Sequence, residues 1–337
     1  MATITTVSVV VPTLNEEAHI RGCLDSIRTQ TFPPAEMEVI VVVGGESNDS
    51  TESIARSALE GSPFGKTLVV RNQESSTPSN LNLGLSHASG RFLCRVDARS
   101  RIAPEHVQRC VATLEERPEV AVVGGAQVAV PPTDSTIGLG IARALNNPLG
   151  MGGSRYRRNA ESGECDTVYL GFFRRNEVAS AGGWDDAFPT NQDFELNQRM
   201  RADGREIWFD KTIPATYIPR SSIRELYQQY QRFGRWKVRY WIRTGDRPQP
   251  RQLALLSAPL LSIGAGVGLR RISRTGVGRV LASVLAVTAA ALVEGASTGP
   301  SRVPPAARVA HLTALAAVSI GWEVGVYREI GARRSRR

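Results

Sequence analysis

Cysteine is scarce in this 337-residue chain: Cys23, Cys94, Cys110 and Cys165 are its four, and no two form a C-x-x-C pair. That count and spacing argue against a disulfide framework or a zinc ribbon, and three of the four fall inside apolar helix or strand patterns, as reduced packing thiols of a cytosolic domain do. The N-terminus lacks a basic stretch followed by an apolar run and small residues, so no cleavable signal peptide is expected and the catalytic part is expected in the cytosol. No internal repeat is evident. A Gly-rich basic phosphate loop near the N-terminus, the mark of many nucleotidyltransferases, is also missing.

What is present is enough apolar material for a core, 42% of residues, in a chain long enough for one large α/β domain of about 200–250 residues plus a further module. The formal charge of +9 invites a nucleic-acid reading. Its excess is concentrated late, however: Arg220 to Arg251 carries nine basic residues against Glu225 and Asp246. This stretch lies beside apolar segments and no recognition module accompanies it, so nucleic acid is not the expected partner.

Hydrophobic patterning alternates strand and helix. Val7–Val11 reads as a strand ended by Pro12, and Asn15-Glu16-Glu17 as the opening of a helix with Ile20, Leu24 and Ile27 on one face. Val39–Val43 is a second apolar strand, and Asn48-Asp49-Ser50 caps a helix reaching about Leu59. The alternation continues through 68–70, 79–87, 92–96, 104–116 and 120–123, which predicts a mostly parallel central sheet flanked by helices. Residues 131–162 read as loop apart from 137–145, a candidate lid. Order returns at 167–173, in a helix over 176–181, at the Gly182-Gly183 turn and in a helix beginning near Asp193. Asp97 closes the run Phe92-Leu93-Cys94-Arg95-Val96, at the strand end where open α/β sheets bind ligands.

Beyond Arg251, residues 253–269, 280–293 and 309–320 are free of formal charge. Each is shorter than the roughly 20 apolar residues of a comfortable span, although the last two lengthen if extended through Ser297 and Tyr327. Their small-residue texture suits helix packing in lipid, and a soluble helical cap is the competing reading. The basic clusters Arg270-Arg271-Ile272-Ser273-Arg274 and Arg333-Arg334-Ser335-Arg336-Arg337 both stay cytosolic if the first segment dips into the membrane and the other two form a hairpin. The stretch 220–251 would then face an anionic leaflet, where each Lys or Arg contributes about 1 kcal/mol.

Six motifs in this order resemble family 2 glycosyltransferases of the GT-A fold: Val9-Val10-Val11-Pro12-Thr13-Leu14-Asn15-Glu16, Ser47-Asn48-Asp49-Ser50-Thr51, Asn80-Leu81-Asn82-Leu83-Gly84, Val96-Asp97-Ala98-Arg99, Gly182-Gly183-Trp184-Asp185 and Gln192-Asp193-Phe194-Glu195-Leu196. The resemblance covers about residues 6–245, and within the family it is greatest to succinoglycan-type exopolysaccharide glycosyltransferases. It implies a GT-A domain over 1–219, a basic interface arm over 220–251, membrane-associated helices over 252–330 and a basic tail over 331–337. It also implies a nucleotide-sugar donor, Mg2+ or Mn2+, a lipid-linked saccharide acceptor and an anionic membrane.

Residue by residue, the resemblance places Pro12, Asn15, Glu16 and Asn82 around the donor, with Pro12 and Glu16 also able to serve an ordinary helix cap. The acid that relatives use toward the base falls here on Gly44, leaving Glu46 as a neighbouring substitute. Asp97 matches the first acid of the D-x-D element and is the implied metal ligand. Arg99 stands where the second acid is missing, and a guanidinium binds phosphate oxygens rather than cations. Asp193 matches the general base, with Gln192 before it in place of Glu; a purely capping role at a helix start is its alternative. Glu195 and Arg199 are spaced for an ion pair. Gly171 and Phe172 match the acceptor-side strand, with simple core packing of the aromatics the alternative. Arg232, Arg235 and Trp236 resemble the Q-x-x-R-W element beside acceptor and diphosphate, with Trp236 as a membrane-interface anchor the competing reading. A non-catalytic membrane scaffold is the rival favoured by Gly44 and Arg99, and intact Asp97 and Asp193 oppose it.

Overall fold

The computed structural model describes residues 5–148, 155–157, 160–250, 252–253, 256 and 304–334. Two of the three apolar segments, 253–269 and 280–293, therefore lie almost wholly outside the described residues. The chain divides into two compact units, one formed by 1–128 and 154–218 and the other by 129–153 and 219–337.

The first unit is built on an eight-stranded sheet. Its strands are β1 (Val7–Thr13), β2 (Met37–Val43), β3 (Lys66–Arg71), β4 (Phe92–Arg95), β6 (Val120–Gly125), β8 (Gly163–Glu164), β9 (Tyr169–Arg174) and β10 (Glu206–Phe209), in the order β3-β2-β1-β4-β9-β6-β10-β8. β3, β2, β1 and β4 run parallel, as do β6 and β10, whereas β9 enters antiparallel between β4 and β6. A small sheet orders β5 (Ser100–Ile102), β11 (Ala215–Tyr217) and β7 (Gln127–Ala129).

The valine runs form strands because both faces of the sheet are covered, so consecutive side chains are all buried. Val9, Val11, Val39, Val41 and Val43 pack with Ile20, Leu24 and Ile27 of α1 (Ile20–Arg28), with Ala55 and Leu59 of α2 (Thr51–Leu59) and with Leu114 of α4 (His106–Glu116). Val10, Ile40 and Val42 face the other way, toward Leu81 of α3 (Thr77–His87), Val178 of α6 (Arg175–Ser180) and Leu196 of α7 (Gln192–Ala202). Each fully buried valine contributes roughly 1.5–3 kcal/mol.

Pro12 does not end β1, contrary to the sequence expectation, for it pairs with Val42 inside the strand. The Val10 carbonyl accepts from Val96 on the β4 side, where the β1–β4 ladder has ended by Arg95. Two residues on, the missing N–H of Pro12 faces that same vacated side and costs no ladder bond. The helix expected to open at Asn15 begins at Ile20 instead: Asn15 has a left-handed φ of 54°, and the residues after it form a turn in which the His19 and Ile20 N–H groups both donate to the Glu16 carbonyl.

The second unit holds α5 (Thr136–Leu145), α8 (Ile223–Thr244) and α9 (Pro305–Arg334). The stretch 137–145, set apart from the surrounding loop by its pattern, is the packed helix α5, whose Gly140 lies against Ala310 and His311 of α9. α8 and α9 meet through glycines. A Cβ on Gly325 would come within 2.1 Å of the Gln231 carbonyl oxygen, and one on Gly234 within 2.1 Å of the Trp322 carbonyl oxygen. Arg239 pairs with Glu329 across the same contact at 2.9 Å. By length and composition α9 is apolar enough to cross a membrane over Pro305–Arg333.

Candidate functional site

Two loops at the C-terminal ends of the parallel strands are locked together first. Asn15 adopts a left-handed φ of 54°, which turns the following amides outward from β1. The Asn15 N–H donates to Ser47 Oγ at 3.1 Å, the Glu16 N–H to Thr51 Oγ1 at 2.8 Å and the Glu17 N–H to Asp49 Oδ2 at 3.0 Å. In return Asn15 Oδ1 accepts from the Asn48 N–H at 2.9 Å, and Glu17 Oε2 from the Ser50 N–H at 3.0 Å. Ser47-x-Asp49-x-Thr51 is therefore a clamp on the β1–α1 loop. Burial works against the Asp49 charge, but hydrogen bonds from Thr51, the Glu17 amide and Ser47 hold its pKa below the ordinary value.

Beside the clamp, Gly44 donates to the Thr13 carbonyl at 2.9 Å. A Cβ there would sit 3.2 Å from Ser75 Cα and 3.3 Å from Asn80 Nδ2, so the position is tight for an acid. Glu46 is exposed, with its N–H on Ser75 Oγ at 2.8 Å. Arg99 Nε donates to Glu16 Oε1 at 2.9 Å, which brings two residues expected on the donor side into one ion pair.

The chemistry converges on Arg95. This residue lies on β4, paired with Val10, and its side chain is only 6% exposed. Its Nε donates to Asp97 Oδ1 at 2.8 Å, and its Nη1 donates to Asp193 Oδ1. Asp97 and Asp193, remote in sequence, thus share one guanidinium while keeping about a third of their own surfaces open, 34% and 32%. Burial would lower the Arg95 pKa, yet the Asp193 and Asp97 charges hold it above the usual arginine value.

Asp193 sits in the first turn of α7, after Asn191 at a left-handed φ of 66°. Trp184 Nε1 also donates to its Oδ1, at 3.1 Å. Burial pushes the Asp193 pKa up, the Arg95 charge opposes, Asp97 adds to the rise, and the net direction is upward. Trp184 is itself fixed: it is 2% exposed, stands edge-on to Phe173 and exchanges two hydrogen bonds with Asn82 at 2.7 and 2.9 Å. The Asn82 carboxamide, expected to face the donor, therefore holds the Trp184 backbone. Glu195 pairs with Arg199 at 2.6 Å as the helix spacing requires, and Arg199 also reaches the Gly183 carbonyl at 2.7 Å.

Phe172 corrects a sequence expectation. It is 0% exposed and packs on Phe92 at 5.7 Å, so its side chain belongs to the core rather than an acceptor surface. Gly171 is enclosed by the Phe173 ring, which a Cβ would approach to 2.4 Å. Arg232, Arg235 and Trp236 lie on α8 in the second unit, where Arg239 stacks over Trp236 at 4.3 Å. All four cysteines are free and buried, as expected of packing thiols.

Arg95 escaped the sequence reading because it was taken as part of an apolar run. A charged residue in a strand buried on both faces is itself the signal, since such a group needs a partner. Tyr169 was missed as well: its hydroxyl lies 2.5 Å from Ser100 Oγ, and its ring stacks with Tyr156 and meets Tyr217 edge-on.

Among the described residues no group of three or more His, Cys, Asp or Glu is arranged to hold a metal. Asp97 nevertheless fits a cation of the Mg2+ type: Arg95 engages Oδ1, Oδ2 remains, and such ions take one or two carboxylates with the rest of the shell from substrate phosphates and water.

Comparison with known proteins agrees with this architecture. The sequence profile described as Glycosyl transferase family 2 matches residues 8–176, ending before Asp193. Succinoglycan biosynthesis protein ExoA of Rhizobium meliloti is 28% identical over 263 residues, 76% of each chain. A dolichyl N-acetyl-alpha-D-glucosaminyl phosphate 3-beta-D-2,3-diacetamido-2,3-dideoxy-beta-D-glucuronosyltransferase of Methanococcus voltae is 24% identical over 233 residues, 68% of this chain and 71% of its own. The mannosyltransferase PcManGT from Pyrobaculum calidifontis, solved in complex with GDP-Man and Mn2+, superposes with a TM-score of 0.64 at 21% identity, over 96% of this chain and 86% of its own. The fold is that of GT-A glycosyltransferases, and the chain belongs to glycosyl transferase family 2.

Proposed function

We propose that this family 2 enzyme is an inverting glycosyltransferase that moves a sugar from a nucleotide-diphosphate donor to a lipid-linked saccharide acceptor at the cytosolic face of a membrane. The product belongs to an exopolysaccharide or cell-envelope glycan. The observation that carries this reading is the single guanidinium shared by Asp97 and Asp193, which sets a donor-side acid and a candidate base on the same side chain.

Asp193 accepts the acceptor hydroxyl proton as that oxygen attacks C1 of the sugar. The bond from C1 to the diphosphate oxygen breaks, its electron pair leaves with the nucleoside diphosphate, and a single displacement inverts the anomeric centre. One positioned carboxylate serves this step, and burial shifts its pKa upward from the ordinary aspartate value. Asp97 would hold Mg2+ or Mn2+, which when bound supplies Lewis-acid neutralisation of the departing diphosphate. The clamped loop carrying Pro12, Asn15 and Glu16, with Glu46 and Arg99, forms the donor side. By resemblance, Arg232, Arg235 and Trp236 on α8 are the candidates for contacts to acceptor or diphosphate.

The names of the relatives support the product and acceptor classes, one being a succinoglycan biosynthesis protein and the other acting on a dolichyl phosphate-linked sugar. α9 supplies the anchor. The test is nucleoside-diphosphate release by membranes holding the full chain, supplied with UDP- and GDP-linked sugars in turn, with and without EDTA. Release with one donor, lost in EDTA and restored by Mg2+ or Mn2+, is expected. Release that persists in EDTA removes the metal, and no release with any donor returns the chain to a scaffold.

A further inference from the structure

We propose that Arg95 is a positioning residue for sugar transfer: its guanidinium fixes the Asp193 carboxylate against Asp97 so that one chosen oxygen faces the acceptor hydroxyl. This rests on the reading of Asp193 as the base.

Arg95 cannot reach a donor itself. It is inside the sheet, its backbone ladders with β1 beside Val10, and its side chain is 6% exposed. A buried arginine is costly unless its donors are satisfied by charge, and here two different nitrogens engage two different acids. The planar fork therefore fixes a relative placement, which a point charge would not.

At Asp193 both donors, Arg95 Nη1 and Trp184 Nε1, converge on Oδ1. Oδ2 is left as the oxygen that takes the proton. The two donors come from separate elements, β4 and the loop before α7, and the second is anchored by Asn82 on α3. The carboxylate is thus held from two sides. A reacting group misplaced by about 1 Å loses on the order of 100-fold in rate.

The experiment compares wild type, Arg95→Gln, Arg95→Lys and Asp193→Asn in the full chain, reading kcat, donor KM and, by calorimetry, donor Kd. Arg95→Gln is expected to lose about 100-fold in kcat, with donor KM and Kd changed by less than about 3-fold. Arg95→Lys keeps the charge without the fork and is expected to recover about 10-fold of that loss. If the Gln variant fails to fold, the Lys variant decides. A wild-type kcat in either folded variant overturns the proposal, as does a kcat loss matched by an equal loss of donor affinity. Turnover retained in Asp193→Asn would instead sink the assignment of the base, whatever the Arg95 variants show.

Discussion

The strands that carry the candidate site bury a second carboxylate at their opposite end. At the start of β2, Glu38 is 0% exposed and accepts from Ser8 Oγ at 2.5 Å and from the Ser89 amide and hydroxyl at 2.5 and 2.9 Å, with Lys66 3.3 Å away. Burial raises its pKa, the hydrogen bonds from Ser8 and Ser89 lower it, and the net direction is downward. At the end of β4, Asp97 and Asp193 share one guanidinium and stay partly open, and Asp193 is displaced upward. Hydroxyl and amide donors from adjacent strands and turns, with Lys66 alongside, make a carboxylate that stays ionised. A single cation divided between two acids leaves one of them able to take a proton. The fold thus holds a structural acid and a candidate reactive acid at opposite ends of the same strands, and their surroundings tell them apart.

The largest break in that contrast should come from the reactive end. Asp97→Asn is expected to lower kcat/KM by about 100-fold or more, because the proposed ligand to the cation on the leaving diphosphate is lost, while the melting temperature stays near wild type. Steady-state kinetics and calorimetric melts on the same preparations check both halves.

Acid stability should be dominated by a residue in neither cluster. His106 is buried, and desolvation lowers its pKa from 6.5 to about 4. Between those values the unfolded chain binds a proton that the folded chain refuses, so stability falls as pH drops from 6.5 to about 4 and levels off below. The shift amounts to about 3 kcal/mol at most. Urea melts across this window should show the loss, and His106→Leu should flatten it.

Glu38→Gln should cost about 2 kcal/mol, the order expected for hydrogen bonds to a buried charge, with turnover per folded molecule unchanged. Its lowered pKa also means that the stability it lends is present above 4.5 and lost as pH falls through the folded value. A Glu38→Gln variant that melts normally but turns over slowly would erase the distinction between the two ends. The smallest effect is a shift in the pH profile. As the proposed base Asp193 would work ionised, so kcat should decline on the acid side at a pH above the ordinary aspartate value of 3.8. Removing the neighbouring negative charge in Asp97→Asn should move that limb downward.

Much of the site could be read before the fold was known. Asp97, Asp193 and Ser47-x-Asp49-x-Thr51 stand at strand ends and helix starts, where residue type and order carry the resemblance. The valine runs of β1 and β2 announced a sheet covered on both faces. Tertiary partners decided what remained. Asn15 looked like a helix opener, yet its left-handed backbone and the turn that follows delay the helix to Ile20. Arg95 vanished into an apolar run because its acids come from a residue two places on and from a distant helix. Phe172 was matched to an acceptor-side strand, but β9 is covered on both faces, so Phe172 and Phe173 enter the two opposite cores. Antiparallel β9 carries no local mark of its direction, which is set by its pairing with β4 and β6.

The central claim is that Asp193 removes the acceptor proton. It is met most directly by measuring nucleoside-diphosphate release and donor binding side by side in wild type and Asp193→Asn. Release should fall by about 100- to 10,000-fold, the usual contribution of a general base, while donor Kd is preserved. Release at the wild-type rate in a folded Asp193→Asn enzyme would contradict the account.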